Sequence, residues 1–320
     1  MKIFIEIPTW LGDAVMATPA IENIIKIYPN AKLVIFGSFV STKLFKEHPN
    51  VEKMIIDDSK KTGNRYKNLF LLAKSVGVVD FAFSFRKNFT TKFLLFFINS
   101  KQKFIYKRFD NKLNTHQVIR YNDFINKSLS IDTQPNKLKI YCSVEKEQNS
   151  KPILGLNPGA TYGSAKRWYP TEFAQVAIEL SKNYNIKIFG GPGETDIAGD
   201  IENTLKNANV LNYENLAGKT SVEELIINIS KLDLFITNDS GPMHVAAAFQ
   251  VPTVSIFGPT RHIETNQWKN EHEMLVRKDL DCAPCMKRVC PLKEEKENHA
   301  CMKQITSADV LQRLQQESLI

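Results

Sequence analysis

The feature that most constrains the fold of this chain is a regular alternation of short apolar segments with helical segments. Strand-length apolar runs, bounded by turn residues and separated by helix-like stretches, are typical of parallel sheets whose strands are joined by crossover helices. The pattern occurs in both halves of the chain. The predicted strands are residues 2–8, 32–36, 51–56 and 81–84 in the first half, and 153–156, 186–189, 210–211, 234–237 and 253–257 in the second.

The length of 320 residues is enough for two domains of about 100–200 residues each. The polar stretch 143–151 is the best candidate for a linker between them. We therefore predict an α/β protein with two Rossmann-like, open parallel-sheet domains that face a cleft, at residues 1–150 and 151–320. Ligands of such sheets bind at the carboxyl ends of the strands. A last predicted helix at 307–316 could pack back across the first domain.

Positive charge is concentrated in the first half of the chain. Residues 1–150 contain 24 lysines and arginines against 13 acids, a net charge of +11, whereas residues 151–320 have a net charge of −3. Such an excess indicates a nucleic acid, a phosphorylated glycolipid at an anionic membrane surface, or simply a solvated lysine-rich surface. We recognise no nucleic-acid motif or aromatic platform beside the charge, so no nucleic-acid partner is expected.

The sequence also predicts a cytoplasmic protein whose membrane contact, if any, is peripheral. After Lys2 the chain continues as an alternating strand that contains Glu6, which is not the pattern of a secretory signal. The most apolar run, residues 93–98, is far shorter than the ~18 residues that span a bilayer.

The most informative local pattern is NDSGPMHVAAA at residues 238–248, which follows an apolar run and leads into an Ala-rich helix. Asp239 or Ser240 can cap that helix, and Pro242 suits its first turn. A strand followed by a small-residue turn and a helix presents backbone N–H groups and a positive dipole end, which suits a phosphate. Asp239 would then orient the turn or bind a sugar or ribose hydroxyl. An ordinary capped helix explains the pattern equally well.

Two further motifs carry a resemblance to a known family. GLNPGATYGSAKRW at residues 155–168 follows another apolar strand and delivers two cations just before a helix, and GDAVMATPA at residues 12–20 follows the first strand. Together with residues 238–248, they resemble the bacterial ADP-heptose:lipopolysaccharide heptosyltransferases of glycosyltransferase family nine, most closely those that add the second heptose. The resemblance covers most of the chain and implies the GT-B fold, in which two such domains face a cleft.

Glycosyl transfer from a nucleotide sugar needs a base for the acceptor hydroxyl and stabilisation of the departing diphosphate. Asp13 follows the first strand, where it could act as the general base or cap a helix; the family's corresponding aspartate is the catalytic base. Lys166 is expected to neutralise the diphosphate, whose charge grows as the glycosidic bond breaks. Arg167 could assist or be solvated. No Asp-x-Asp pair is identified as the metal-dependent type, so no metal or other cofactor is expected.

The contacts to the donor are expected in the second domain. Thr161 and Ser240 offer hydroxyl groups to the diphosphate, and Gly241 lets the backbone approach it. His244 lies one turn into the helix after Asp239, where it could contact the phosphate or sugar or be a satisfied, half-buried histidine.

The nucleoside is expected on the same domain. Glu194 ends the sequence GGPGE after a predicted strand, and its use in the family implies that it accepts hydrogen bonds from the ribose hydroxyls. Thr220 could offer backbone groups to adenine, although either Thr220 or Ser221 is also a good cap for the helix that follows.

Four cysteines near the end of the chain, with His299 beside them, look superficially like a zinc site: Cys282, Cys285, Cys290 and Cys301. The C-x2-C pair has the right spacing, but the second pair is loosely spaced. A reducing compartment argues against disulfides. The family's second heptosyltransferases carry a similar tail with metal-independent transfer, which argues against a catalytic metal and leaves a structural zinc as an alternative.

The resemblance implies an inverting, metal-independent enzyme that moves heptose from ADP-L-glycero-D-manno-heptose to heptosyl-Kdo-lipid A at the inner face of the membrane. Enzymes that add the first or a later core heptose are the nearest alternatives. More distant ones are a nucleotide-sugar epimerase, a non-catalytic nucleotide-sugar or lipid-binding protein, and a nucleic-acid binder drawn by the basic half.

Overall fold

The structure, a computed structural model, describes residues 1–61, 63–107, 114–143 and 151–320. The chain divides into two compact units, Met1–Ser143 and Val144–Ile320. The predicted linker at 143–151 lies, apart from its two ends, outside the described residues. Each unit has its own parallel sheet and its own helices, and each is described by itself below.

Five strands form the sheet of the first unit: β1 (Lys2–Glu6), β2 (Lys32–Gly37), β3 (Val51–Ile56), β4 (Val78–Ser84) and β5 (Asn99–Ile105). All their pairings are parallel, in the order β3-β2-β1-β4-β5. The inner strands β1 and β2 are buried almost throughout, as expected for strands that helices cover on both faces. The strand order reverses between β1 and β4, and such switch points are where open sheets bind ligands.

The described residues of the first unit form the helices α1 (Leu11–Met16), α2 (Thr18–Ile27), α3 (Phe39–Thr42), α4 (Arg65–Ser75), α5 (Phe89–Phe97) and α6 (Gln117–Leu129). Helices α4 and α5 pack together and share a core with the sheet, in which Leu69 and Leu94 join Phe4. Helices α2 and α6 also pack together, through a buried hydrogen bond of 2.7 Å from Asn23 Nδ2 to Asn122 Oδ1.

Six strands form the sheet of the second unit: β6 (Ile153–Asn157), β7 (Asn185–Ile188), β8 (Tyr213–Asn215), β9 (Leu234–Asn238), β10 (Thr253–Phe257) and β11 (Glu273–Arg277). They too pair in parallel, in the order β11-β10-β9-β6-β7-β8. Strands β6, β9 and β10 are buried along their whole length. The strand order reverses between β6 and β9.

The helices of the second unit are α7 (Pro170–Leu180), α8 (Thr195–Asn207), α9 (Val222–Ser230), α10 (Gly241–Ala248), α11 (His262–Thr265), α12 (Ala300–Lys303) and α13 (Ser307–Gln316). Helix α7 begins with Pro170, two residues after the fully buried Trp168, and Tyr169 between them is its N-cap residue. Trp168, Phe173 and Leu314 belong to the same apolar core. Within the described residues, no helix is long and apolar enough to cross a membrane.

These two α/β units confirm the predicted fold class, and most predicted strands match within two residues. The strand predicted at 210–211 is wrong. Leu211 is 89% exposed, and the strand begins two residues later at Tyr213. Helix α13 lies where it was predicted, and it packs against α7 and β11 of the second unit. The reason is that Val310 and Leu314 are buried in the core of the second unit.

Candidate active site

The loops that follow β6 and β9 meet at the carboxyl edge of the second sheet because these two strands are neighbours. They are the two loops whose motifs stood out in the sequence. Buried amide side chains bind them together: Asn157 Nδ2 donates to Ser240 Oγ at 3.1 Å, and Asn238 Nδ2 donates to the Pro158 carbonyl at 2.7 Å. The Trp168 backbone N–H donates in turn to Asn238 Oδ1 at 3.0 Å. The edge is therefore pre-formed by bonds among buried groups.

Lys166 and Asp239 form an ion pair at this edge. The Lys166 ammonium lies 2.6 Å from Asp239 Oδ2 and 3.3 Å from the Asp239 main-chain oxygen. Thr260, in the loop after β10, donates to the same Oδ2 at 2.6 Å. The two side chains are 13% and 4% exposed, so solvent screens this pair less than a surface pair. The sequence predicted Asp239 at a strand end and Lys166 in the motif that follows another strand, and the structure brings them into contact.

The N-terminus of α10 lies beside this pair. Ser240 is the N-cap residue and Pro242 lies in the first turn, as the motif predicted. The Ser240 side chain does not cap the helix; instead its oxygen accepts the hydrogen bond from Asn157. The N–H groups of the first turn therefore keep their capacity for an anion. Gly241 opens the helix, and His244 is 3% exposed within it, which makes it a buried histidine.

Glu194 lies between β7 and α8 and is 8% exposed. Its Oε2 accepts a hydrogen bond of 2.9 Å from the Gly191 N–H. Its Oε1 is buried and, among the described residues, has no hydrogen-bond partner. The carboxylate lies so close to Gly159 that a Cβ at that position would collide with it. Glu194 thus reaches the turn after β6 and keeps one acceptor oxygen unused.

The two predicted threonine contacts lie in different places. Thr161 is an exposed turn residue in the loop between β6 and Lys166. Thr220 directly precedes Ser221, and Ser221 is the N-cap of α9, with its hydroxyl accepting from the Glu224 N–H at 3.2 Å. The loop that holds Thr220 adjoins the Glu194 loop, since the Gly218 N–H donates to the Gly190 carbonyl at 2.9 Å.

The sequence did not single out Tyr162 and Arg288, which lie beside Lys166. The Lys166 ammonium is 4.9 Å from the centre of the Tyr162 ring, and the Arg288 guanidinium is 5.1 Å from it. The Arg288 carbonyl accepts from the Ala165 N–H at 3.1 Å and leaves no room for a Cβ at Gly163. The cysteine-containing segment is therefore bonded to the Lys166 loop. Lys166 and Asp239 cancel in charge, so Arg288 adds positive charge at this edge.

The four cysteines of that segment are all free thiols, and they range from exposed Cys282 to buried Cys301. Burial, and then the neighbouring thiols, raises the pKa of Cys301 to about 11. In the part of the chain that the structure describes, no three His, Cys, Asp or Glu side chains are arranged to hold a metal ion. The zinc alternative therefore has no ligand cluster among these residues.

One acidic pair was overlooked in the sequence. Asp279 and Asp281 do form an Asp-x-Asp sequence, at the start of the cysteine-containing segment. Asp279 Oδ1 is bonded to Arg277 at 2.6 Å, and the Asp279 side chain is 83% exposed. This contact identifies Asp279 as the partner of a surface arginine.

Asp13 lies in the first unit, in the first turn of α1. Trp10 is the N-cap residue of that helix, so Asp13 is not its cap. The Asp13 side chain is half-buried, and its charge acts on Tyr121 of α6. Burial and then the charge of Asp13 raise the pKa of Tyr121 well above its ordinary value. Asp13 is thus placed after the central strand β1, at the switch point of the first sheet.

A second buried ion pair lies at the same edge of the first sheet. Glu6, the last residue of β1, is 3.2 Å from the Arg86 guanidinium, which follows β4. Glu6 also accepts hydrogen bonds from Ser84 at 2.5 Å and Thr91 at 3.1 Å. Burial raises the pKa of Glu6 in spite of these partners.

The comparisons with known proteins agree with this architecture. The model of the family "Glycosyltransferase family 9 (heptosyltransferase)" matches residues 99–296. Lipooligosaccharide heptosyltransferase 2 of Campylobacter jejuni serotype O:2 is 44% identical, over 98% of this chain and 97% of the relative. The structure of E. coli ADP-heptose lps heptosyltransferase II covers 99% of this chain and 98% of its own, with 22% identity and a TM-score of 0.79. E. coli heptosyltransferase WaaC with ADP also has a TM-score of 0.79, at 14% identity and 99% coverage of both chains.

These matches define the class of the protein: it is a glycosyltransferase with the GT-B fold. More particularly, the chain belongs to glycosyltransferase family 9, the heptosyltransferase family. The resemblance inferred from the three sequence motifs is confirmed.

Proposed function

We propose that this enzyme transfers heptose from ADP-L-glycero-D-manno-heptose to heptosyl-Kdo-lipid A in the inner core of lipopolysaccharide or lipooligosaccharide. The 44% identical relative is named a lipooligosaccharide heptosyltransferase 2, and its similarity extends over nearly the whole chain. The observation that carries the proposal is the Lys166–Asp239 pair at the N-terminus of α10, and the unused oxygen of Glu194, whose carboxylate lies against the turn after β6, supports it. This arrangement offers a cation and N–H groups to a diphosphate and an acceptor to a ribose.

Lys166 is proposed to bind the departing diphosphate. An ammonium has three N–H donors, and the two contacts with Asp239 use two of them. The third can bind a phosphate oxygen, and the first turn of α10 from Gly241 offers further N–H groups. Negative charge builds up on the diphosphate as the glycosidic bond breaks, so these donors stabilise the transition state more than the ground state. The hydroxyls of Thr161 and Ser240 and the ring of His244 are proposed as additional contacts.

The nucleoside is proposed to bind between the loops that follow β7 and β8. Glu194 Oε1 is buried without a partner among the described residues, and a ribose hydroxyl would satisfy it. The backbone near Thr220 adjoins this loop and could bind adenine. Because Oε2 is already held by the Gly191 N–H, the carboxylate is oriented before the ligand arrives.

Asp13 is proposed as the general base that deprotonates the acceptor hydroxyl. The oxygen would attack the anomeric carbon opposite the diphosphate, so the configuration inverts. Proton removal by a well-placed group contributes roughly 10²–10⁴-fold to the rate. The position of Asp13 in the first turn of α1, the helix that follows β1 at the switch point of the first sheet, supports this function. No step of this proposed reaction uses a metal ion.

The enzyme is proposed to work at the cytoplasmic face of the inner membrane, where the lipid-anchored acceptor would be presented. The net charge of +11 in residues 1–150 supports attraction to an anionic lipid surface.

The test is ADP release from the purified protein and ADP-heptose, with heptosyl-Kdo-lipid A, with Kdo-lipid A, and without acceptor. We expect release only with the heptosylated acceptor, a product heavier by one heptose, and an unchanged rate in EDTA. Release with Kdo-lipid A alone would instead assign the first heptose. Conversion of the nucleotide sugar without any acceptor would indicate an epimerase, and tight binding without turnover would indicate a non-catalytic binder.

A further inference from the structure

An aromatic ridge runs along the pair of helices α4 and α5 in the first unit. Neighbouring rings are in contact along it, with centroids 5.1 Å apart for Tyr66 and Phe93, 4.9 Å for Phe93 and Phe97, and 5.0 Å for Phe96 and Phe97. Further ring contacts extend the ridge to both helices. Its members are Tyr66, Phe70, Phe89, Phe93, Phe96 and Phe97.

Three of the six rings of this aromatic ridge face solvent, whereas Phe93 and Phe97 are partly buried against the core. Phe96 is 75% exposed, Phe89 67% and Tyr66 43%, and the nearby Leu71 is 54% exposed. The opposite face of the same two helices supplies the buried core residues that pack on the sheet. Single exposed apolar residues are ordinary, but a contiguous ridge of rings marks a surface that binds something.

The charged side chains on the two helices of the aromatic ridge all have one sign. The two helices carry Arg65, Lys67, Lys74 and Lys92, and neither Arg65–Ser75 nor Phe89–Phe97 contains an Asp or Glu. Lys67, Lys74 and Lys92 are all exposed, and the Lys74 ammonium lies 5.5 Å from the centre of the Phe70 ring. Aromatic rings with lysines between them match the boundary between lipid headgroups and acyl chains, where rings insert and cations meet phosphates.

One end of the aromatic ridge lies at the edge of the first sheet where Asp13 is found. Helix α5 follows β4 and helix α4 precedes it, so Tyr66 and Phe89, in the first turns of these helices, lie towards the carboxyl edge. Asp13 follows β1 at that same edge. A bilayer against the ridge would therefore hold a lipid-anchored sugar on the side of the sheet where the proposed base lies.

We propose that the aromatic ridge and its lysines are the surface by which this enzyme docks on an anionic phospholipid bilayer. The inference rests on the proposed function in one respect, since the benefit of docking comes from the lipid anchor of the acceptor. The exposed rings enter the interface, and the lysines contact the anionic headgroups.

The experiment is sedimentation of the full-length protein with vesicles of phosphatidylethanolamine and phosphatidylglycerol, compared with vesicles of phosphatidylcholine alone. We expect binding to the anionic vesicles that weakens as salt is raised. Replacing both exposed rings, in F89S/F96S, should lower the partition coefficient at least about tenfold, given the transfer energy of aromatic side chains. Neutralising two lysines, in K67Q/K92Q, should lower it roughly 25-fold on anionic vesicles only.

The matched controls are Leu211→Ser and Lys296→Gln, which change an exposed apolar residue and an exposed lysine of the second unit. They should bind vesicles like the original chain. The ridge variants should also keep their Tm and their rate on a water-soluble acceptor without acyl chains, and lose rate only on vesicle-embedded acceptor.

Equal vesicle binding by the ridge variants and the original chain would overturn the docking proposal. So would loss of a self-associated state in the ridge variants without any change in vesicle binding, because the ridge would then be an interface between two copies. Failure of the proposed function is a separate result: no transfer to either acceptor by the original chain, whatever its vesicle binding.

Discussion

The two sheets of this glycosyltransferase carry the same kind of ion pair at the same place, but the two pairs are built differently. Glu6 and Arg86 lie where β1 and β4 end, and Lys166 and Asp239 lie in the loops after β6 and β9. Each pair therefore occupies the switch point of its sheet. In the first unit the acidic residue, Glu6, lies on the first strand of the sheet. In the second unit the cationic residue, Lys166, follows the first strand.

The difference lies in what each pair leaves unused. Glu6 is 2% exposed and is held by a guanidinium and two hydroxyls, which satisfies a buried carboxylate. Lys166 is held at two points by Asp239 and lies over the Tyr162 ring, next to the first turn of α10. A satisfied pair fixes the fold, whereas a pair with an unused donor beside N–H groups can bind an anion. The comparison teaches that position at a switch point does not by itself make a ligand site.

The largest effect is expected from the first unit's edge, at Asp13. Asp13→Asn removes the proposed base and keeps the shape of the side chain, so kcat should fall roughly 10²–10⁴-fold while the Kd of ADP stays unchanged. Asp58→Asn, an exposed acid after β3, is the control and should keep full activity. Steady-state kinetics and calorimetry separate rate from affinity. Full activity in Asp13→Asn would falsify the assignment of the base.

The next effect tests the pair of the second unit. Lys166→Met should weaken ADP binding roughly 10–100-fold, because charge-assisted hydrogen bonds to phosphate are lost. It should also lower the free energy of unfolding by about 3–5 kcal/mol, since Asp239 stays buried without its cation.

The double variant K166M/D239N distinguishes these two consequences. Without the buried charge its stability should return towards that of the original chain, whereas ADP binding should stay weak. If ADP binding recovered together with stability, Lys166 would act only through the fold and would have no place at the diphosphate.

A smaller effect is expected at Glu194. Glu194→Gln keeps an oxygen for the Gly191 N–H but replaces the charged acceptor, so ADP should bind roughly tenfold more weakly. The matched ligands are 2′-deoxy-ADP and 3′-deoxy-ADP: the one that lacks the bonded hydroxyl should bind both forms of the protein equally. If neither deoxy ligand reduces the effect of the substitution, Glu194 does not contact the ribose.

The sequence predicted the elements of this site better than their contacts. The apolar runs that end at Asn157 and Asn238 are fully buried strands, which have a strong local signal. Asp239 could therefore be placed at a strand end, and Lys166 in the segment that follows a strand. That they touch depends on the pairing of β6 with β9 across about 80 residues, which no local pattern encodes. Thr260 could have been found, because a hydroxyl soon after the buried strand β10 is the same kind of signal.

The elements that the sequence missed are those with polar or exposed residues. Strands β5 and β11 lie at the edges of their sheets; β5 reads NSKQKFI and β11 reads EMLVR, so neither is a clean apolar run. Arg288 reaches the Lys166 loop from the cysteine-containing segment, more than a hundred residues along the chain. In the sequence, part of the aromatic ridge was recognisable only as the apolar run 93–98, because the exposure of its rings depends on which face of α5 the sheet covers.

The last and smallest effect concerns the Glu6–Arg86 pair of the first unit. Burial raises the pKa of Glu6 above its ordinary value and outweighs the opposing effects of Arg86, Ser84 and Thr91. The folded chain therefore binds a proton here more tightly than the unfolded chain. The stability associated with this group is therefore present at acid pH and is lost as the pH rises through its raised folded pKa.

Glu6→Gln removes that titration. As the pH rises from about 4 to neutrality, the original chain should therefore lose stability relative to the variant, as measured by the free energy of unfolding. Glu22 is the control of opposite sign. Burial alone would raise its pKa, but hydrogen bonds from His48 and Lys139 lower it overall. As the pH rises through the acid range, the original chain should therefore gain stability relative to Glu22→Gln. Urea unfolding across that range measures both slopes. Equal slopes would mean that Arg86 holds Glu6 ionised, and the two switch-point pairs would then differ only in the donor that Lys166 leaves unused.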